Sequence, residues 1–333
     1  MREGSWLNHL GRMVGELVGS GPRGPLSLAQ ALPWVVPKVR PRFEYEAFSL
    51  RPGRPAPEFR PLAGFFAVGL VVDFPDREAD VGAAELAAWG VDFDRLMQRA
   101  RSNLLARGGE EQFLRVKPGC YQSTWEDNLD GSRVLLPGIL LRLELQGDPV
   151  VVLPSRDTLL VTGSEDLRGL RWMLEAALEF LTGDPRSMNG CPLRLRHYLW
   201  EPFHPGEHLP IRPLLARIHH HRLKEEYAHQ KRLLDQRHGA LGRRVTLAPF
   251  HLERTPGGET SSYTVWSRSM EEAWLPEADR MHLSWEAVSG PGEARIPWEQ
   301  AQRQLSHLLE PVGLFPERYR FKAPPQIDLL RSL

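Results

Sequence analysis

One stretch constrains the fold of this chain more than any other: residues 149–162 read PVVVLPSRDTLLVT. Two β-branched runs flank Pro154, Ser155, Arg156 and Asp157, so the segment reads as a β-hairpin with an exposed, charged turn. Candidate strands elsewhere also arrive in neighbouring pairs between helices, as at 113–117 with 121–124. The strict strand–helix alternation of a doubly wound parallel sheet is absent. The expected fold class is therefore α+β, with mostly antiparallel sheets packed against helices, and a core domain followed by a smaller C-terminal α+β domain.

Hydrophobic spacing places the other elements. Trp6, Leu7, Leu10, Met13, Val14, Leu17 and Val18 recur at steps of three and four and predict an amphipathic helix that ends at the Gly/Pro stretch 19–24. Residues 32–61 hold seven prolines and predict an extended arm around one short strand at 42–48. The apolar run 65–74, FFAVGLVVDF, has the length of a strand buried on both faces. A helix at 83–89 breaks at Gly90, and Asp92 is placed to cap the next one, whose Phe93, Leu96, Met97, Ala100 and Leu104 form an inward stripe. Helices are also expected at 134–145, 165–181, 211–238 and 298–309, and strands at 192–200, 245–252, 263–266 and 281–288. The helix at 211–238 would be about 42 Å long. The resulting division is an arm at 1–61, a core domain at 62–205, a histidine-rich connecting helix at 206–242 and a C-terminal domain at 243–333.

Composition narrows the partners. The 333 residues carry 42 Lys+Arg against 42 Asp+Glu, so no global field holds nucleic acid or a membrane surface, and any electrostatic partner is read by a local patch. Only five of the basic residues are lysine, an excess of arginine that suits planar recognition of phosphate or carboxylate and that a GC-rich coding bias also produces. Cys120 and Cys191 stand alone, without a CxxC spacing, which excludes a disulfide scaffold or a four-cysteine zinc site. With no long uncharged apolar run and no signal-like start, a cytoplasmic protein that binds no membrane is expected.

The common mechanistic motifs are missing: no phosphate-binding loop, no dinucleotide glycine fingerprint, no HExxH and no nucleophile elbow. Four weaker constellations remain. Glu126, Asp127 and Asp130 in WEDNLD, with Asp157 in the hairpin turn, are the carboxylates available for acid–base work or Mg²⁺, although Asn128, Asp130 and Gly131 also spell a turn. His197, Glu201, His204 and His208 are the best metal-ligand set, but Pro202, Pro205 and Gly206 forbid the helix that would align them. Seven of the twelve histidines, among them His219 and His220, fall within 201–240, where five Arg and two Lys face five acidic residues. Such a stretch would gain charge in mild acid if its histidines titrate normally. Trp266, Trp274, Trp285 and Trp298 crowd the C-terminal part, as binding hot spots or as core.

Four blocks together carry a resemblance: WGVDFDRLMQRARSNL, DGSRVLLPG, VVVLPSRDTLLVTGSED and LWEPF, in this order across about 65–203. They resemble the uncharacterised bacterial YtpQ-like family, domain of unknown function 1444. The resemblance implies a cytosolic bacterial α+β domain and supplies no activity, cofactor or catalytic residue.

The leading expectation is a non-enzymatic adaptor acting through protein–protein contacts, with Trp6, Leu10, Met13, Leu17, His219, His220, Trp266 and Trp274 as candidate partner contacts and no cofactor. The alternatives are a hydrolase-like enzyme using the carboxylate and histidine sets, with or without a metal, and a nucleic-acid binder using Arg217, Arg222, Lys224, Lys231, Arg232 and Arg237. Whole-chain neutrality makes nucleic acid the weaker partner class and leaves it open only through that local basic stretch.

Overall fold

The computed structural model describes residues 25–51, 56–108, 112–183, 187–206, 210–255, 257–270, 272–287 and 290–332. Trp6, Leu10, Met13, Leu17 and His208 lie outside the described residues, and with them the expected N-terminal helix. The described chain is α+β, its sheets mostly antiparallel and divided between two lobes.

A helical turn, α1 (Leu28–Ala31), leads into β1 (Val35–Pro41) and directly into α2 (Arg42–Leu50). Strands β2 (Phe59–Ala63), β3 (Phe66–Phe74) and β4 (Arg77–Asp80) follow. β1 runs along one edge of β3, while β2 and β4 share the other. As an edge strand, β1 accepts Pro37 and Pro41, because only one of its sides needs backbone donors. The strand expected at 42–48 is instead the helix α2. Its buried Phe43, Tyr45 and Ala47 imitate the alternation of a strand, because α2 is enclosed between this sheet and a later helix. The Tyr45 hydroxyl donates to the Lys38 carbonyl (2.7 Å) and accepts from the Gly69 N–H (2.9 Å), bridging facing residues of β1 and β3. A Cβ on Gly69 would lie 2.7 Å from that hydroxyl, so the bridge requires glycine there.

Helices α3 (Ala83–Trp89) and α4 (Phe93–Ala106) fall where spacing puts them. Gly90 closes α3 in the left-handed region, and the Asp92 side chain accepts from the Arg95 N–H (2.8 Å) to start α4. Beyond β5 (Phe113–Lys117) and β6 (Cys120–Ser123), the helix expected at 134–145 resolves into a 3₁₀ segment, Asp130–Leu135, and one helical turn, α5 (Pro137–Leu140). Pro137 separates them by pushing Leu136 out of the helical region.

The hairpin of β7 (Pro149–Ser155) and β8 (Thr158–Gly163) forms as expected, and α6 (Leu167–Gly183) packs on it. Val151, Leu153, Leu159 and Val161 point into a core shared with β3 and α4. Val150, Val152 and Leu160 point the other way, onto Leu170, Met173 and Leu174 of α6. Burial on both faces explains the uninterrupted apolar run. The strand expected at 192–200 is a second hairpin, β9 (Asn189–Arg196) with β10 (Leu199–Pro202), whose two-residue turn holds His197 and Tyr198 at φ 49° and 63°. These strands complete an antiparallel sheet in the order β10-β9-β7-β8-β6-β5.

Helix α7 (Arg212–Ala240) separates this lobe from the second, which runs through β11 (Thr246–Leu247), β12 (His251–Arg254), β13 (Thr260–Ser267), β14 (Ala273–Pro276), β15 (Arg280–Ala287) and β16 (Gly290–Pro297), then α8 (Trp298–Leu305), β17 (Leu309–Pro311), β18 (Arg318–Phe321) and α9 (Ile327–Arg331). They build two four-stranded sheets, β12-β13-β15-β16 and β11-β14-β18-β17, with β13–β15 and β11–β14 as parallel pairs. Trp266 and Trp274, candidates for partner contact, are core residues instead. Trp266 is 2% exposed and packs on Phe321, while Trp274 is 7% exposed and meets His238 edge-on.

α7 carries no single apolar stripe because it has a lobe on each side. Ile218 joins the α6 core, Tyr227 stacks on Phe250, and Leu234 packs with Leu50, Leu247 and Trp274. Its polar residues are built in as well. Wholly buried Arg318 of β18 donates to Gln230 and to the carbonyls of Ala248 (2.8 Å), Trp274 (3.1 Å) and Tyr227 (3.2 Å). Among the described residues, no helix is long and apolar enough to cross a membrane.

Candidate functional site

Two sequence-distant elements make the walls of the most strongly charged cleft. Pro41 ends β1 and opens α2 without an intervening loop, which brings Arg40 and the α2 residues Phe43, Glu44 and Phe48 to one side, with Arg51 at the end of α2. Opposite, Arg222, Glu225, Glu226, His229 and Arg232 repeat at steps of three and four and so share one face of α7. The β7–β8 turn adds Arg156, and the end of α6 adds Leu181 and Thr182. The cleft encloses about 1030 Å³.

Its ionic contacts are unequally satisfied. Arg222 donates through Nε and is paired through Nη2 with Glu226 Oε1, both at 2.8 Å, while Glu226 Oε2 has no donor. Burial pushes the Glu226 carboxyl up to about 7, with Arg222 acting against it. Arg40 is held by Asp80 and Glu78 (2.7 Å each), yet its Nε–H, buried in the same wall, has no acceptor. Arg156 pairs with Glu44 at 3.2 Å. The guanidinium groups of Arg51 and Arg232 have no ion-pair or hydrogen-bond partner among the described residues. His229 stands edge-on to Phe43 (5.1 Å between ring centres), and its imidazole is pushed below the usual range by burial and then by Arg232, Arg51 and Arg222. The neighbouring histidine thus registers three guanidinium groups.

A second cleft of about 1010 Å³ lies between the first half of α7 and the loop joining β12 to β13. Here His220 Nε2 is 3.0 Å from Asp279 Oδ2, which also accepts from the Ser262 N–H (2.7 Å) and the Ser261 hydroxyl (3.3 Å). Burial pushes the Asp279 carboxyl up, but the bonds from His220 and Ser262 outweigh it and hold it at about 2. Nδ1 of His220 is buried and unpartnered, so the dyad is closed to solvent on that side. His219 meets Phe65 edge-on (5.4 Å) and is pushed down to about 4, chiefly by desolvation, although its side chain keeps a solvent-exposed edge. With His219, His229 and His238 all below the ordinary imidazole range, the charging in mild acid that the sequence suggests moves to lower pH.

The acidic loop is a structural knot. Glu126 and Asn128 both take positive φ (51° and 64°), and Asp127 accepts from both Arg133 terminal nitrogens (2.8 and 2.7 Å) and from the Leu129 N–H (3.0 Å). Burial raises the Asp127 carboxyl, and Arg133 outweighs it, leaving it below the usual range. Asp130 is wholly buried and raised by that burial. Asp157 lies in the β7–β8 turn, whose Arg156 carbonyl accepts from the Gly131 N–H (3.3 Å). Of the metal set, His197 occupies the β9–β10 turn and Glu201 faces Arg194 across the ladder. Among the described residues, no three His, Cys, Asp or Glu side chains converge as metal ligands. Of the basic residues on α7, Arg222 is buried against Glu226 and Lys231 pairs with Asp235 (2.7 Å), so they do not line up as one free ridge.

Arg51, Glu44 and Arg156 escape sequence reasoning because they come from separate elements that only the fold brings to α7. The three-and-four spacing from Arg222 to Arg232 is the one signal that could have singled out this face. No family model, curated protein or solved structure matches the chain.

Proposed function

We propose that the protein is a non-enzymatic adaptor of the bacterial cytoplasm that grips an anionic group of a protein partner in the arginine-lined cleft between α2 and α7. One observation carries the reading: Arg51 and Arg232 line a concave site with no carboxylate within ion-pair distance of either guanidinium. Guanidinium groups left unneutralised in a cleft offer planar, charge-assisted hydrogen bonds to a carboxylate or phosphate. Phe43 and Phe48 supply an apolar wall for whatever bears the charge. The resemblance of residues 65–203 to the YtpQ-like family supports the bacterial, cytoplasmic setting.

The test is a pull-down from the native host with wild type and an Arg51→Gln/Arg232→Gln variant. Wild type should retain a partner that moderate salt releases, and the variant should lose it at unchanged thermal stability. Identical partner sets for the two proteins would end the reading.

An enzymatic alternative draws on Glu226, whose carboxyl near 7 at the same cleft lies in the range of a general acid or base. It predicts turnover of some anionic substrate by the wild type and none by Glu226→Gln.

A further inference from the structure

The cleft's charge pattern says more about its ligand than that it is anionic. Resting on the anion-binding reading above, we propose that the group it holds is a phosphate monoester, bound as its dianion and still attached to the organic part that carries it.

Charge stoichiometry is the first argument. The wall holds five arginines and three glutamates. All three glutamates have partners, Glu44 with Arg156, Glu226 with Arg222, and Glu225 with His221 (3.3 Å) and Arg222 (3.8 Å), and Arg40 is held by Glu78 and Asp80. The side chains of Arg51 and Arg232 remain, two guanidinium groups on opposite walls with no carboxylate within ion-pair distance. A carboxylate brings one negative charge and answers only one of them. A phosphomonoester brings about −1.5 to −2 near neutrality, with three acceptor oxygens, and answers both.

Unused donors are the second argument. The Nε–H of Arg40, with the residue 6% exposed, is unpartnered in the same wall. A phosphomonoester offers three oxygens to the N–H donors that line the wall, whereas a planar carboxylate offers two. Size is the third argument. A space of about 1030 Å³ stands at the upper end of the ligand range and is far too large for free phosphate alone. Phe43 and Phe48 give the remainder an apolar lining suited to a ring or alkyl stem.

Calorimetric titration of the full chain near pH 7.5 with four probes tests this: phenyl phosphate, benzoate, inorganic phosphate, and a blocked pentapeptide bearing phosphotyrosine. Phenyl phosphate should bind saturably and at least tenfold more tightly than benzoate or inorganic phosphate. Arg51→Gln and Arg232→Gln should each weaken it about tenfold or more, while Arg168→Gln, in α6 and away from this cleft, should leave it unchanged. A peptide tighter than phenyl phosphate supports the monoester and places it on a protein partner; the reverse order supports the monoester and makes it a small molecule.

Benzoate binding as tightly as phenyl phosphate, with both arginine variants impaired, would overturn the monoester and leave the anion cleft standing. Inorganic phosphate equalling phenyl phosphate would do the same. No binding by any probe, or binding that neither arginine variant affects, would overturn both.

Discussion

Glu226 gives the chain a pH dependence opposite in sign to that of an ordinary ion-paired carboxylate. The residue is 2% exposed, and burial moves its carboxyl from 4.5 to about 7 against the pull of Arg222. Between those values the native state keeps a proton that the unfolded state has released. Its contribution is therefore complete below pH 4.5 and is lost as pH rises through 7. A shift of roughly two and a half units is worth ~3 kcal/mol in full, of which ~2.5 kcal/mol disappears between about pH 5 and about pH 8. Glu226→Gln cannot titrate. It also leaves Arg222 with a weaker partner, a penalty that stays constant over this range because the guanidinium remains charged.

The assay is urea unfolding of wild type and Glu226→Gln at both pH values, followed by tryptophan fluorescence. Contributions from His219, His229 and His238 cancel in the comparison of the two proteins. The stability of the variant relative to wild type should rise by ~2.5 kcal/mol from the acid to the alkaline condition. A relative stability constant to within ~0.5 kcal/mol would refute the claim that this carboxyl is desolvated.

Three further substitutions probe other joints. Arg318→Met strands the carbonyls of Ala248, Trp274 and Tyr227 and the Gln230 oxygen, and should cost ~3–5 kcal/mol in urea unfolding; a loss below ~1 kcal/mol would show that they find other donors. Tyr45→Phe removes the bridge between the Lys38 carbonyl and the Gly69 N–H and should cost ~2 kcal/mol, with faster hydrogen exchange at Gly69; unchanged exchange there would contradict it. Asp279, held at about 2, stabilises the fold above pH 4 and less as pH falls toward 2, and because its side chain is 49% exposed the effect is screened to ~1 kcal/mol. Asp279→Asn should flatten the acid limb of the stability curve by that amount, and an unchanged limb would count against the His220 contact.

Periodicity recovers elements that have one environment along their length. α4, α6 and α8 each turn one face to a core, and the β7–β8 hairpin is buried on both sides with a charged tip, so residue patterns report them directly. It fails where an element has two neighbours or where pattern and turn coincide. α2 is read as a strand because enclosure buries residues two apart, and the β9–β10 turn hides because His197 and Tyr198 continue the alternation while adopting conformations that usually select Asn or Gly. The cleft is legible only as the Arg222, Glu226, His229 and Arg232 spacing. Its other wall comes from residues about 170 to 190 positions earlier, and nothing local in 40–51 announces that Pro41 folds β1 back into a helix facing α7.

The polar character of α7 has a consequence for how the chain is made. When the ribosome has released the first lobe and this helix, the side chains that will later meet the second lobe include His220, Gln230 and His238, interleaved with the apolar Leu223, Tyr227 and Leu234. A half-finished chain therefore presents a wetted surface where a conventional amphipathic helix would present a sticky stripe. The fastener arrives later, when Arg318 emerges and draws Gln230 and three carbonyls out of water together. The seam between the lobes is thus closed by a buried polar cluster whose donor, Arg318, lies about 90 residues after the helix that it fastens.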